Sequence, residues 1–273
     1  EIPYGKTIPP EKLEQALKDH PDAIAVTSTL SDTAVGTGHD IEAFGKLVNA
    51  TPSILLVDGI SGLGVMACRC DDWHVDICVT GSQKALMMPP GLAFVSMSEK
   101  AQQVMNSNPD RRVFYFDLKK AIEKLETFDT PYTPANTMIR GLRVSLRKIR
   151  EEGIENVWAR HERLASAARA GMEALGLELY AERPASGLTV AKVPSNVDGI
   201  KLLKTLEEKY GLKLAGGQAE LKGKIIRLAH MGYADQFEVL AALSGLELAL
   251  SEQGYSVEIG GGVAAAQRSL ASV

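Results

Sequence analysis

Val75-Asp76-Ile77-Cys78-Val79-Thr80-Gly81-Ser82-Gln83-Lys84-Ala85-Leu86 passes from a continuous apolar segment into a turn of small hydrogen-bonding residues that delivers a lysine. Met87-Met88-Pro89-Pro90-Gly91 and a second apolar run, Leu92-Ala93-Phe94-Val95, follow. Upstream, Ile54-Leu55-Leu56-Val57-Asp58-Gly59 is another apolar run, closed by a carboxylate. Strands covered on both faces read in this way, as continuous rather than alternating apolar runs. Their alternation with helical stretches in the first half of the chain predicts βα units and a mainly parallel sheet, an α/β fold. In such sheets ligands gather beyond the carboxyl ends of the strands, where Asp58 and Lys84 would both lie.

Condensation with an aldehyde-bearing cofactor needs a lysine whose amine can lose its proton near neutral pH. A carboxylate about 3 Å from a ring nitrogen keeps that nitrogen protonated, and the protonated ring draws electrons from a substrate α-carbon. The pair therefore points to pyridoxal 5'-phosphate (PLP), with Lys84 as the tether and Asp58 as the partner of the pyridinium nitrogen. Taken alone, Asp58 also reads as a turn aspartate facing water; the lysine after the next strand favours the ring contact.

The 273 residues suffice for one large or two modest domains. With 45% apolar and 23% charged residues the composition is that of an ordinary globular protein. A net charge of −4 without a dense basic stripe argues against a nucleic-acid partner. No apolar run approaches the ~18 residues of a membrane span. Cys68-Arg69-Cys70 lacks the usual metal-knuckle spacing, and Cys78 is the one other cysteine. The expectation is free thiols in a reducing cytoplasm, and no metal.

Residues 8–20 read as a helix entered through Pro9-Pro10, residues 23–27 as a strand, residues 28–38 as a polar loop, and residues 40–49 as a helix that Asp40 could cap. Strands are expected to end at Asp58, near Val79 and near Ser96, all three covered on both faces. From about residue 137 to 176 the pattern is long and helical, broken at Glu152-Gly153. Its second part carries Val157, Trp158, Leu164, Ala168 and Met172 on one stripe, with Trp158 packing in the core or between domains. Beyond it, short strands at 188–193 and 224–228 and helices at 200–210 and 234–253 form an α+β pattern. The expected division is therefore 1–150 and 151–273. Gly260-Gly261-Gly262-Val263 reads as a loosely specified tail.

Ser82 and Gln83 offer a hydroxyl, an amide and backbone N–H groups that suit either a phosphate or simple turn chemistry. Arg227, inside Ile225-Ile226-Arg227-Leu228-Ala229, needs an anionic partner, because a lone buried guanidinium is costly. That partner is either a substrate carboxylate gripped by the guanidinium fork or a local glutamate. His230 reads as structural. No Gly-x-Ser-x-Gly elbow, His-Glu-x-x-His pair or Walker loop is present, which weakens hydrolase and NTPase readings.

Residues 55–64, 76–86 and 89–91 together resemble the class V aminotransferases, the alanine–glyoxylate and serine–glyoxylate branch of the PLP fold type I enzymes. The resemblance implies the C-terminal part of a large PLP-binding domain over 1–150 and a small C-terminal domain over 151–273. It implies transfer of an amino group from a small amino acid (alanine, serine or aspartate) to a 2-oxo acid such as glyoxylate or pyruvate. By position, Lys84 and Asp58 would be catalytic, Lys84 also carrying a proton at the substrate. Ser82 and Gln83 would meet the cofactor phosphate or its surroundings. Thr33, in Leu30-Ser31-Asp32-Thr33-Ala34-Val35-Gly36, would bond the ring hydroxyl, although Asp32 and Ala34 depart from the commoner residues of that loop. Arg227 would take the substrate carboxylate. Thr133, in Thr130-Pro131-Tyr132-Thr133-Pro134, would reach the phosphate of a neighbouring subunit, implying a homodimer with shared active sites. Members of the family carry a long segment ahead of the point where this chain opens, which would supply a glycine-rich phosphate turn and a stacking aromatic ring. A missing N-terminal segment or companion chain, and weak PLP binding by 1–273 alone, are the corresponding expectations. A lyase or desulfurase on the same fold, with a mobile nucleophilic cysteine, and a non-catalytic subunit of a larger complex are the alternatives.

Overall fold

The computed structural model describes residues 1–110 and 112–272. Its first sheet has the order β1-β4-β5-β6, from Ala25–Thr29, Ile54–Asp58, Ile77–Gly81 and Ala93–Met97. β1, β4 and β5 are parallel, with Thr29 opposite Asp58 and Asp58 opposite Val79, so their carboxyl ends share one edge. β6 runs antiparallel to β5. The polar loop after β1 contains a small hairpin, β2 (Ser31–Asp32) and β3 (Thr37–Gly38).

β4 is buried along most of its length, and α2 (Ile41–Asn49) covers it with Ile41, Phe44 and Val48, an i, i+3, i+7 stripe. Asp40 caps α2 by accepting from the Ala43 N–H at 3.1 Å, as its position predicts. α1 (Pro10–Asp19) lies on α2 and adds Leu13 and Leu17 to this core. A Cβ at Gly45 would collide with the Trp73 carbonyl, so only glycine lets the segment before β5 pass this close to the helix. Asp76 ties three strands together: it accepts from the Leu55 N–H (2.9 Å) and the Ser98 hydroxyl (2.6 Å), and Lys100 lies 3.9 Å away.

β6 departs from expectation. Its residues are half-buried or exposed, because it occupies the sheet edge and turns back toward the start of β5. An apolar run alone gives neither strand direction nor coverage.

Helices α3 (Glu99–Ser107), α4 (Leu118–Leu125) and α5 (Asn136–Glu152) follow. Gly153, at φ 85°, ends α5, and α6 (Ile154–Ala174) begins at the next residue. A second sheet has the order β7-β9-β8, all antiparallel, from Leu188–Lys192, Ile225–Ala229 and Ala215–Gly216. It packs with α6, α7 (Gly199–Tyr210) and α8 (Gln236–Glu252) around Leu164, Met172, Leu202, Leu206, Ile226, Leu243 and Leu246.

The glycine tail is also corrected: residues Gly261–Ala271 form α9, packed along α6. The Glu247 carboxylate on α8 accepts from the Gly260 and Val263 N–H groups (2.7 and 3.0 Å), capping the new helix from outside. An added Cβ at Gly262 would come within 3.0 Å of the Gly171 carbonyl, so the two helices meet backbone to backbone.

Candidate active site

Asp58 is the last residue of β4, and Lys84 lies three residues beyond β5. Asp58 pairs with Val79 in the ladder, so β4 and the strand that leads into the Lys84 turn end at the same edge of the sheet. One Asp58 carboxylate oxygen accepts from the Ile60 N–H at 2.8 Å, a short Asx turn that fixes the side chain. Lys84 is half-buried, and its ammonium has no hydrogen-bond or ion-pair partner among the described residues.

The Lys84 turn is rigid for local reasons. The Ser82 N–H bonds the Leu92 carbonyl (3.0 Å), and the Ser82 hydroxyl donates to Pro89 (2.7 Å) while accepting from the Leu92 N–H (3.2 Å). The Met88 N–H returns to the Ser82 carbonyl at 3.1 Å. Ser82 is fully buried, so its hydroxyl shapes the turn. Gln83 is exposed and folds back over Gly81, where a Cβ would lie 2.7 Å from its amide oxygen. The Met87 N–H bonds the Lys84 carbonyl at 3.0 Å, with Met87 held at φ 57°, a left-handed conformation that side chains seldom adopt.

Thr33 enters from the loop after β1, which the Leu30 N–H fastens to the Asp58 carbonyl at 2.9 Å. Its hydroxyl shares a short hydrogen bond with Ser61, three residues past Asp58. Arg227, on β9, donates through Nη1 to the Thr33 carbonyl and through Nε to the Gly216 carbonyl, both at 2.7 Å. Burial lowers its pKa while Asp32 raises it, and the guanidinium remains a cation. Nη2 has no partner among the described residues. Hydrogen bonds thus link Arg227 to Thr33 and Thr33 to Ser61 across the two sheets, and among the described residues no glutamate pairs with Arg227. Thr133 is exposed on the loop before α5 and has no hydrogen-bond partner among the described residues.

Two buried histidines stand behind the lysine. His161 donates from Nδ1 to the Val157 carbonyl (2.7 Å) and accepts at Nε2 from the Gly232 N–H (3.0 Å). Gly232 in turn abuts Lys84: a Cβ there would lie 3.1 Å from the Lys84 carbonyl. His230 meets the Thr189 hydroxyl at 2.9 Å through Nε2. Burial depresses both histidines, His230 to about 3. Sequence reasoning named His230 as structural and missed His161, whose partner is 71 residues away.

The cysteines are unbridged. They are not scattered, however: Cys68, Cys70 and Cys78 gather under the Asp58 strand, with Cys70 held below the usual thiol range by hydrogen bonds from Cys68 and then Cys78. None stands on a loop over the Lys84 edge, as a desulfurase nucleophile would have to.

Comparison with known proteins agrees with this geometry. The family described as Aminotransferase class-V matches residues 2–234. An uncharacterized aminotransferase of Methanocaldococcus jannaschii is 43% identical, over 96% of this chain and 69% of that protein. The L-aspartate–glyoxylate aminotransferase of Paracoccus denitrificans is 37% identical, over 98% of this chain and 69% of its own length. The crystal structure of pyridoxamine–pyruvate aminotransferase from Mesorhizobium loti superposes with a TM-score of 0.91 at 35% identity, covering 100% of this chain and 71% of that one. With a lysine and a carboxylate at adjacent strand ends and relatives of this likeness, the chain belongs to the class V aminotransferase family, PLP-dependent enzymes of fold type I.

Proposed function

We propose that this protein moves an amino group from a small amino acid, namely alanine, serine or aspartate, to a 2-oxo acid such as glyoxylate or pyruvate. The observation that carries the reading is that Asp58 ends β4 while the adjacent parallel β5 leads into the Lys84 turn, with the amine free of partners among the described residues. The donor set fits PLP: one amine, one carboxylate with an oxygen to spare, and a hydroxyl at the exit of the next strand. When bound, PLP supplies the aldehyde that accepts the amino group and the ring that withdraws electrons from the substrate α-carbon.

Lys84 would hold the cofactor through Nζ and would carry the α-proton of the substrate. Asp58 presents its second oxygen to the ring nitrogen, held in direction by the Ile60 N–H. Thr33 offers its hydroxyl to the ring oxygen, and Arg227 offers Nη2 to the substrate carboxylate. Gln83, exposed on the turn that the Ser82 hydroxyl braces, would meet the cofactor phosphate or its surroundings. In this assignment residues 1–150 are the C-terminal part of the PLP-binding domain and 151–273 the small domain.

A homodimer is part of the proposal. Phe114, Tyr115, Phe116 and Phe128 are largely exposed, and Tyr115 stacks at 4.5 Å on Tyr132, in the Thr133 loop. An apolar patch of this kind marks a protein interface, and it would bring Thr133 to a partner's phosphate. Among the described residues no helix is long and apolar enough to cross a membrane. The unbridged cysteines support a cytoplasmic setting.

The test is a borohydride-reduction experiment on the intact protein incubated with PLP, read by peptide mass, beside a panel of amino donors against glyoxylate and pyruvate. The reduced adduct should map to the peptide containing Lys84. Lys84→Ala should lose both the adduct and transamination; full activity in that variant would sink the assignment.

A further inference from the structure

Under the strand that ends in Asp58, three thiols converge. Cys78 is on β5, paired with Val57 in the ladder and 4% exposed. It lies against Gly59, where an added Cβ would stand 3.1 Å from its sulfur. Cys68 and Cys70 come from the segment between β4 and β5, with both sulfurs turned inward and Arg69 between them turned out. Arg69 covers the Trp158 ring at 5.3 Å and pairs with Glu155 at 3.2 Å, which anchors the segment on α6. Its backbone is fixed as well: the Trp73 N–H bonds the Arg69 carbonyl and the Val75 N–H the Cys70 carbonyl, both at 2.8 Å.

The sulfurs of Cys68 and Cys70 are 3.9 Å apart, and all three lie within 4.8 Å of one another. With metal–sulfur bonds of about 2.3 Å, three thiolates around one ion stand roughly 3.8 Å apart in tetrahedral geometry and about 4.0 Å apart in trigonal geometry. The triangle therefore needs a contraction of at most about 1 Å to close on an ion.

We propose that Cys68, Cys70 and Cys78 form a binding site for one thiophilic d10 cation, Zn2+ or Cu+. The three sulfurs are the protein ligands, and in the zinc form a water completes the tetrahedron. Binding forms three metal–sulfur bonds, the thiol protons pass to solvent, and no electron is transferred. Soft thiolates select these ions over Mg2+ and Ca2+, which require oxygen ligands. The bound ion would join the 68–70 segment to β5, and through Arg69 it would brace α6 against the wall beneath Asp58.

The intact protein, freed of metal and kept reduced with a phosphine under anaerobic conditions, is titrated with Zn2+ against a chromophoric chelator and separately with Cu+ against bicinchoninate. Co2+ in place of Zn2+ reports ligand type through its sulfur charge-transfer band. One equivalent of either ion should bind with a dissociation constant below about 1 μM. Affinity should fall at least about 100-fold in Cys70→Ser and in Cys68→Ser. Both changed cysteines are half-buried, and circular dichroism of each metal-free variant establishes that it folds. Should neither fold, alkylation of the unmodified protein decides: one equivalent of Zn2+ should protect all three thiols together. Failure of both ions to bind, binding that both serine variants leave unchanged, or thiols that Zn2+ leaves unprotected would each overturn the proposal.

Discussion

The Arg227 guanidinium reaches out of the second sheet to the Thr33 carbonyl, 2.7 Å away and 194 residues earlier in the chain. That bond fastens the loop after β1 to β9 and leaves Nη2 without a partner among the described residues. Arg227 is therefore a strut between the two sheets and, in the proposed function, the cation that takes the substrate carboxylate.

The two roles separate in kinetics. Arg227→Lys keeps the charge and loses the fork, and Arg227→Gln loses both. A charge-assisted hydrogen bond contributes about 1.5–3 kcal/mol, so kcat/KM for the amino donor should fall by roughly 10- to 150-fold in Arg227→Gln, mainly through KM. Steady-state kinetics, read beside a thermal midpoint that reports the lost strut separately, checks this; a change below about threefold would remove Arg227 from the substrate site.

Asp58→Asn keeps the Asx turn to the Ile60 N–H and removes the charge. In the proposed function this removes the partner that would keep the ring nitrogen protonated. The expected result is a drop in kcat of about 100-fold or more with the Lys84 adduct still formed, measured by single-turnover kinetics beside borohydride labelling. Unchanged kcat would return Asp58 to an ordinary turn residue.

His161 and His230 are buried neutral, with folded pKa values below the 6.5 of the unfolded chain. The unfolded state binds more protons below that value, so this part of the stability is fully present above it and is lost as pH falls toward the folded values. Thermal midpoints should hold steady above neutrality and decline between about pH 6.5 and 5, before most carboxylates titrate. Protonation of His161 at Nε2 would also set two donors against each other at Gly232. His161→Gln should flatten part of the decline, and a midpoint constant over that range in the unmodified protein contradicts the argument.

Asp76 holds the start of β5 to β4 and β6. Asp76→Ala leaves the Leu55 N–H and the Lys100 ammonium without their carboxylate, and it should cost about 2–4 kcal/mol in urea unfolding. A loss under about 1 kcal/mol would mean that water replaces the carboxylate there.

What the sequence disclosed follows the range of the forces involved. The strands carrying Asp58 and Lys84 are short apolar runs closed by polar turns, and Asp40 caps α2 from the adjacent position; such local patterns are readable directly. β6 was readable as a strand but not as an antiparallel edge, because its direction depends on the length and bonding of the Ser82–Leu92 turn. α9 was unreadable because its first N–H groups are satisfied by Glu247 on another helix, while its own start is three glycines. The Arg227–Thr33 bond, the His161 contact to Gly232 and the cysteine triangle all join residues far apart in the chain or held in irregular loops, where spacing carries no signal.

The Ser82–Leu92 pairing has one further consequence. The backbone carrying the amine is a closed ring, pinned where it departs from β5 and again where it re-enters β6, not an arm hanging from a single strand. A group mounted on such a ring regains its aim each time a product departs, so successive turnovers start from the same geometry without a slow resetting of the loop.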